Sequence, residues 1–378
     1  MLTVSAGFDA GNIEVVSLQD SADIQLNIRK DNGSDFFQWF YYRLQGGAGQ
    51  SLCMRLLNAG EAAYVDGWEN YQAVASYDRQ AWFRVPTRYE NGELIIEHEP
   101  ESNSVYYAYF APYSFERHLD LLAYAEQSPY CRSQHLGQTL DGRDVEVLRI
   151  SATEYPKKTF WMIARQHPGE SMAQWFVEGF LESLLDEDNA LAGKLRQQVE
   201  FYVVPNMNPD GSVRGHLRTN AIGANLNREW GEPTEQRSPE VLFVRNMMEQ
   251  TGVDLLLDVH GDEALPCNFI AGQDGVPGVS DQILLQEQQF EQDLMAVNPD
   301  FQMERGYEPG KFGSETMTIA ANWIGHRFNC PSMTLEMPFK DFDLQPDYEF
   351  GWSPARSMRL GESVLYPFAA WLDRCDDS

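Results

Sequence analysis

The chain has 378 residues, 43% of them apolar, which is enough for two folded domains with sizeable cores. Its 57 acidic against 28 basic residues give a net charge of −29, which repels a phosphate backbone and argues against nucleic acid as a partner. No segment approaches the roughly 18 consecutive apolar residues of a membrane span, and the opening MLTVSAGFDAGNIEVVSLQD has no basic stretch leading into an apolar run, so neither membrane nor export is expected.

From residue 1 to about 115 the text breaks into short runs of aromatic and β-branched residues: NIEVVSL, ADIQLNIR, FFQWFYYRL, QSLCMRLLNA, AWFRVPTRY, GELIIEHE and SVYYAYFA. Turn-forming DNGS, GGAG and ENGE punctuate them, which predicts an antiparallel β-sandwich. APYSFERHLDLLAYAEQ then reads as a connecting helix opened by a Ser cap. Beyond it, apolar strands alternate with amphipathic helices. VEVLRIS, TFWMIARQ, VEFYVVP and DLLLDVH are strands, while SMAQWFVEGFLESLL and SPEVLFVRNMMEQ carry apolar residues at helical spacing. Continuous apolar strands are buried on both faces, which predicts an α/β domain with a largely parallel or mixed central sheet and helices on both faces. The change of pattern gives two domains, 1–118 and 119–378, and places the site where loops leave the strands' carboxyl ends.

Cys53, Cys131, Cys267, Cys330 and Cys375 are scattered and never form a CxxC pair, which argues against a disulfide framework and a cysteine-ligated zinc. A reducing cytoplasm is the expected compartment. The sharpest local feature is His167-Pro168-Gly169-Glu170, directly after the strand TFWMIARQ and before a helix. An imidazole and a carboxylate three positions apart in a tight turn can converge on one ion. DLLLDVH delivers His260 at the carboxyl end of another strand of the same sheet. Two His and one Glu leave a position open on zinc for water, the arrangement of a catalytic site.

Between these residues runs RTNAIGANLNREW, with Arg218, Asn220, Asn225, Asn227 and Arg228. Its donors suit a carboxylate, or an oxyanion near the metal, or simply the cap of the next helix. The strand PSMTLEMPF places Glu336 among apolar residues, as a general base of raised pKa or as a structural partner of an arginine.

Taken together, these motifs resemble the M14 metallocarboxypeptidases, and among them the cytosolic branch, over residues 1 to about 375. The resemblance implies one zinc ion per chain on His167, Glu170 and His260. It further implies substrate-carboxylate binding by Asn227 and Arg228, oxyanion binding by Arg218, and Glu336 as the base. The first domain then matches the β-sandwich that precedes the catalytic domain in that branch. Pancreatic-type relatives carry Asp where this chain has Asn225, as a partner of a zinc histidine. They also use a tyrosine on a mobile loop, for which Tyr307 in the Gly-rich RGYEPGKFG is the nearest candidate. The implied activity is hydrolysis of the C-terminal peptide bond of a peptide or protein by zinc-activated water. Alternatives on the same scaffold are a zinc deacylase of N-acyl amino acids and a non-catalytic peptide-binding module. Side-chain preference and oligomeric state are not legible.

Overall fold

The computed structural model describes residues 1–308 and 316–376. Its N-terminal part is two facing five-stranded sheets. One is ordered Thr3–Ser5, Tyr41–Gln45, Ser104–Ala108, Val74–Ser76, Phe83–Arg84, and the other Glu14–Ser17, Ile24–Asn27, Leu52–Leu56, Glu93–His98, Thr87–Glu90. Alternation along the strands sends Tyr42, Leu44 and Tyr107 of the first sheet, and Met54, Leu56 and Ile96 of the second, into the same core. Tyr42 Oη spans the two layers to Met54 Sδ at 3.2 Å. The pairing is antiparallel except between Ile24–Asn27 and Leu52–Leu56, which run parallel because the chain passes through Tyr41–Gln45 of the opposite sheet between them.

Two expected strands differ in extent. In FFQWFYYRL, ladder pairing begins only at Tyr41. The preceding Gln38 pairs through its side chain instead, accepting from Tyr64 N at 2.8 Å and donating to Tyr64 O at 2.9 Å. AWFRVPTRY splits at Pro86, which cannot donate to a ladder, into Phe83–Arg84 and Thr87–Glu90.

Helix Phe115–Glu126 follows, its Ser114 side chain accepting from Arg117 N as expected of the cap. Next comes a seven-stranded mixed sheet ordered Cys131–Gln138, Asp144–Ile150, Val199–Val204, Lys158–Ala164, Leu255–Asp262, Ser332–Pro338, Phe269–Ala271. The four central strands are mutually parallel and the three outer ones antiparallel to their neighbours. Period-two alternation divides their side chains between two cores. Phe160, Phe201 and Leu257 join the core shared with helices Met172–Leu185 and Leu365–Asp376, where Phe160 packs 5.3 Å from Phe368. Trp161, Tyr202 and Leu256 face helices Pro239–Thr251 and Ala320–Phe328 instead. The first of these cores continues into the sandwich, and Tyr109 stacks on Phe339 at 4.5 Å across the junction. Among the described residues no helix is long and apolar enough to cross a membrane.

Helix Pro239–Thr251 buries Glu240 completely, and neither carboxylate oxygen has a hydrogen-bond partner. Burial pushes its pKa up to about 8. A carboxyl whose folded pKa exceeds its unfolded value costs stability as pH rises from about 4.5 to about 8, since the unfolded chain ionises first. Glu240→Gln is therefore expected to match the native melting temperature at pH 4.5 and to exceed it by several degrees at pH 8.5, on the order of a few kcal/mol. Thermal melts at the two pH values check this, and an equal difference at both would contradict it.

Candidate active site

The strand Lys158–Ala164 ends on Arg165, whose φ of 57° lies in a region that L side chains rarely adopt. Its buried guanidinium holds that bend by donating to Pro168 O and Tyr113 O, both at 2.9 Å, and to the Gln174 side chain. The following turn thus projects His167 and Glu170 beyond the strand's carboxyl end, against helix Pro209–Arg214. The packing is close: a Cβ on Gly211 would stand 2.3 Å from Pro168 Cγ and 2.5 Å from Thr219 O.

His260 arrives from the adjacent parallel strand Leu255–Asp262. His167 Nδ1 lies 2.6 Å from Glu170 Oε1, and His260 Nδ1 lies 2.8 Å from Glu170 Oε2. One ligand atom from each residue falls within 4.8 Å of the others, and all three side chains are buried. Both Nε2 atoms face away. That of His167 meets Asn225 Oδ1 at 3.1 Å, and that of His260 lies 2.9 Å from Asp258 Oδ1. Inward Nδ1 atoms with outward Nε2 atoms held by acceptors are what an imidazole ligand needs, and a buried His2Glu set fits zinc. Burial and the nearby Arg218 push His167 down to about 3, so its ring is neutral and available as a ligand. Burial opposes ionisation of Glu170, but the two imidazoles outweigh it and hold its pKa low.

Asp258 and Gln166 complete this layer, Gln166 Nε2 donating to Asp258 Oδ2 at 2.7 Å while Trp230 Nε1 donates to Gln166 Oε1 at 2.8 Å. Neither is among the residues that the sequence motifs single out. Asp258 had a signal, since it stands two residues before His260 and strand alternation puts the two side chains on one face.

Strand Ser332–Pro338 pairs with Leu255–Asp262 so that Glu336 is the cross-strand partner of His260. Glu336 is buried, its Oε1 accepts from Tyr307 Oη at 3.3 Å, and its Oε2 has no hydrogen-bond partner. Burial, followed by the charges of Glu170 and Asp262, raises its pKa well above the usual carboxylate range despite the opposing His260. Tyr307 Oη also donates to Asp262 Oδ2 at 2.8 Å. The rest of the expected lid, 309–315, lies outside the described residues.

Arg218, Asn227 and Arg228 line the same cavity of about 530 Å³ as His167, Glu170, His260, Tyr307 and Glu336, so these eight side chains border one space, whereas Asn220 and Asn225 are not part of its lining. Asn227 sits in a single helical turn, Leu226–Arg228, and its Oδ1 accepts from Ala320 N at 2.9 Å. Arg228 Nη1 donates to Asn227 O at 2.7 Å, and burial with the nearby Arg218 lowers its pKa. Among the other residues that line the cavity are Tyr64 and Glu263. Tyr64 comes from the sandwich, and Glu263 is a carboxyl that burial, with Glu170 and Asp262 beside it, raises well above its ordinary value.

Comparison with known proteins accounts for both halves of the chain. Residues 4–110 match the cytosolic carboxypeptidase N-terminal domain and residues 116–349 match the zinc carboxypeptidase family. The chain is similar to a metallo-carboxypeptidase of Burkholderia cenocepacia, at 47% identity, 99% coverage of both chains and a TM-score of 0.95. It is likewise similar to a metallo-carboxypeptidase of Pseudomonas aeruginosa solved in complex with (2-guanidinoethylmercapto)succinic acid, at 44% identity, a TM-score of 0.95 and coverage of 98% of this chain and 99% of that one. Cytosolic carboxypeptidase 6 of Caenorhabditis elegans is 25% identical over 89% of this chain and 79% of its own length. The mixed sheet that gathers the His, Glu and Arg residues at its carboxyl edge, the sandwich before it and these similarities agree: the chain belongs to the M14 zinc carboxypeptidases, in the group that carries the cytosolic carboxypeptidase N-terminal domain, and is a metallocarboxypeptidase.

Proposed function

We propose that the protein is a zinc carboxypeptidase that releases the C-terminal residue of peptides or proteins, with residues 119–378 as its catalytic domain. The observation that carries this reading is the meeting, in one cavity, of a buried His2Glu set, a carboxylate with an unpartnered oxygen and two arginines. His167, Glu170 and His260 would hold one zinc ion. Zinc bound there acidifies water and polarises a carbonyl.

The remaining work falls to side chains. Arg228 and Asn227 dock the substrate's terminal carboxylate and set the register of the chain, so that only the last peptide bond reaches the metal-binding residues. Glu336 takes a proton from the attacking water and passes it to the departing amine. Arg218 faces the oxygen on which negative charge develops. Tyr307 stands next to Glu336 in the lining of the cavity. Asn225 orients His167 as the Asp of pancreatic-type relatives would, without its charge, whereas Asp258 supplies charge to His260. That the Pseudomonas relative was solved with a dicarboxylic acid supports a cavity built for carboxylates. Relatives named cytosolic carboxypeptidases support a cytoplasmic setting.

The test is metal analysis together with mass spectrometry of peptide digests. One zinc per chain and stepwise loss of C-terminal residues are expected; cleavage of internal bonds, or no cleavage by the metal-loaded protein, would reject the reading. Asp258→Asn keeps the shape of the His260 contact but removes its charge, and zinc affinity is expected to fall about 10- to 100-fold in a chelator competition. Unchanged affinity would limit Asp258 to packing.

A further inference from the structure

The loop that carries Arg218 is held by the other domain. The backbone amides of three consecutive residues, Leu217, Arg218 and Thr219, all donate to one carboxylate, Asp31 of the sandwich. Leu217 N meets Oδ1 at 2.7 Å, and Arg218 N and Thr219 N meet Oδ2 at 2.9 Å each. Thr219 Oγ1 adds a fourth bond to Oδ2 at 3.0 Å. Asp31 is only 3% exposed, so these bonds are shielded from competing water. The turn after Asp31 is pressed onto the same loop: a Cβ on Gly33 would stand 2.6 Å from Ile222 O, and one on Gly223 2.4 Å from Gly33 O. The Arg218 guanidinium, which lines the active-site cavity, has its carbon 5.5 Å from the Phe36 ring centre and 5.4 Å from that of Tyr64, both sandwich residues.

A carboxylate that gathers three successive N–H groups fixes the path of the backbone that bears them, and two aromatic rings limit where the side chain can swing. We infer that Asp31 is a positioning residue for Arg218, and that the sandwich thereby forms part of the catalytic apparatus rather than an appended module. The inference rests on Arg218 acting on the oxyanion. A guanidinium that drifts by about 1 Å loses transition-state stabilisation more than it loses ground-state binding, so the effect falls on kcat.

Asp31→Asn turns one acceptor oxygen into an NH2 group facing N–H donors. Thr219→Val removes only the hydroxyl bond and keeps the test available if the first variant does not fold. In the full-length zinc-loaded enzyme, Arg218→Gln is expected to lower kcat about 100-fold. Asp31→Asn is expected to lower it about 10-fold and Thr219→Val about 3-fold, with KM within twofold. Neither is expected to lower kcat further in the Arg218→Gln background, because the group they position is gone. The same fold-loss of kcat in both backgrounds, or native kcat in folded Asp31→Asn and Thr219→Val, would overturn the inference. Native kcat in Arg218→Gln alone would overturn the oxyanion role beneath it, and that single variant tells the two failures apart.

Discussion

Glu336→Gln is expected to keep the metal and the affinity for peptide while kcat falls about 1,000-fold, within the 10²–10⁴-fold range of a positioned acid–base group. Parallel pairing sets Glu336 opposite His260, so base and metal-binding side chain lie at the same level of the sheet. The carboxylate is buried, with one oxygen held by Tyr307 and the other unpartnered. A carboxylate in that state is a better base than one in water, since desolvation raises its pKa. Glutamine has the same shape and can still accept from Tyr307, but it takes no proton from water at neutral pH. Turnover by amino-acid release, zinc by elemental analysis and binding by calorimetry separate the effects. A kcat within about tenfold of native would remove Glu336 from proton transfer and leave it a packing role.

What the sequence revealed of this site follows from where charged residues interrupt apolar text. His260 and Glu336 occupy apolar strands and His167 sits in the turn just beyond one, where a polar side chain stands out, and the parallel order of those strands brings them to one edge. Asp258 stands out in the same way but was absorbed into the run DLLLDVH, because its role depends on which nitrogen of His260 faces the metal position. Arg165 was hidden for another reason: its part is played through a positive φ and three bonds to backbone and amide oxygens, none of which has a local sequence signature. Asp31 lies too far along the chain for any spacing argument, and in the sequence DNGS it reads only as a turn. The sandwich strands were legible from their alternation. Gln38, through its side-chain bonds to Tyr64, and Pro86, which has no N–H for a ladder, shorten two of them in ways that alternation does not report.

Arg228→Ala is expected to raise KM about 100-fold and to lower kcat/KM by 10²–10³, about 3 to 4 kcal/mol, the range for losing a charge-assisted bond in a partly buried site. Asn227 O holds one end of the guanidinium, and Asn227 is itself anchored by Ala320 N, so the fork is aimed before substrate arrives. The sharper measurement compares free and amidated peptides of one sequence. The native enzyme should cleave the free form about 100-fold faster or more, because an amide offers the fork no negative charge. In Arg228→Ala the ratio should fall toward one, since the group that tells the two ends apart is gone. Arg218 lines the same cavity and is the competing anchor. If the preference for free ends survives Arg228→Ala and disappears in Arg218→Gln, the carboxylate docks on Arg218. The two arginines would then exchange roles, and oxyanion binding would pass to Arg228.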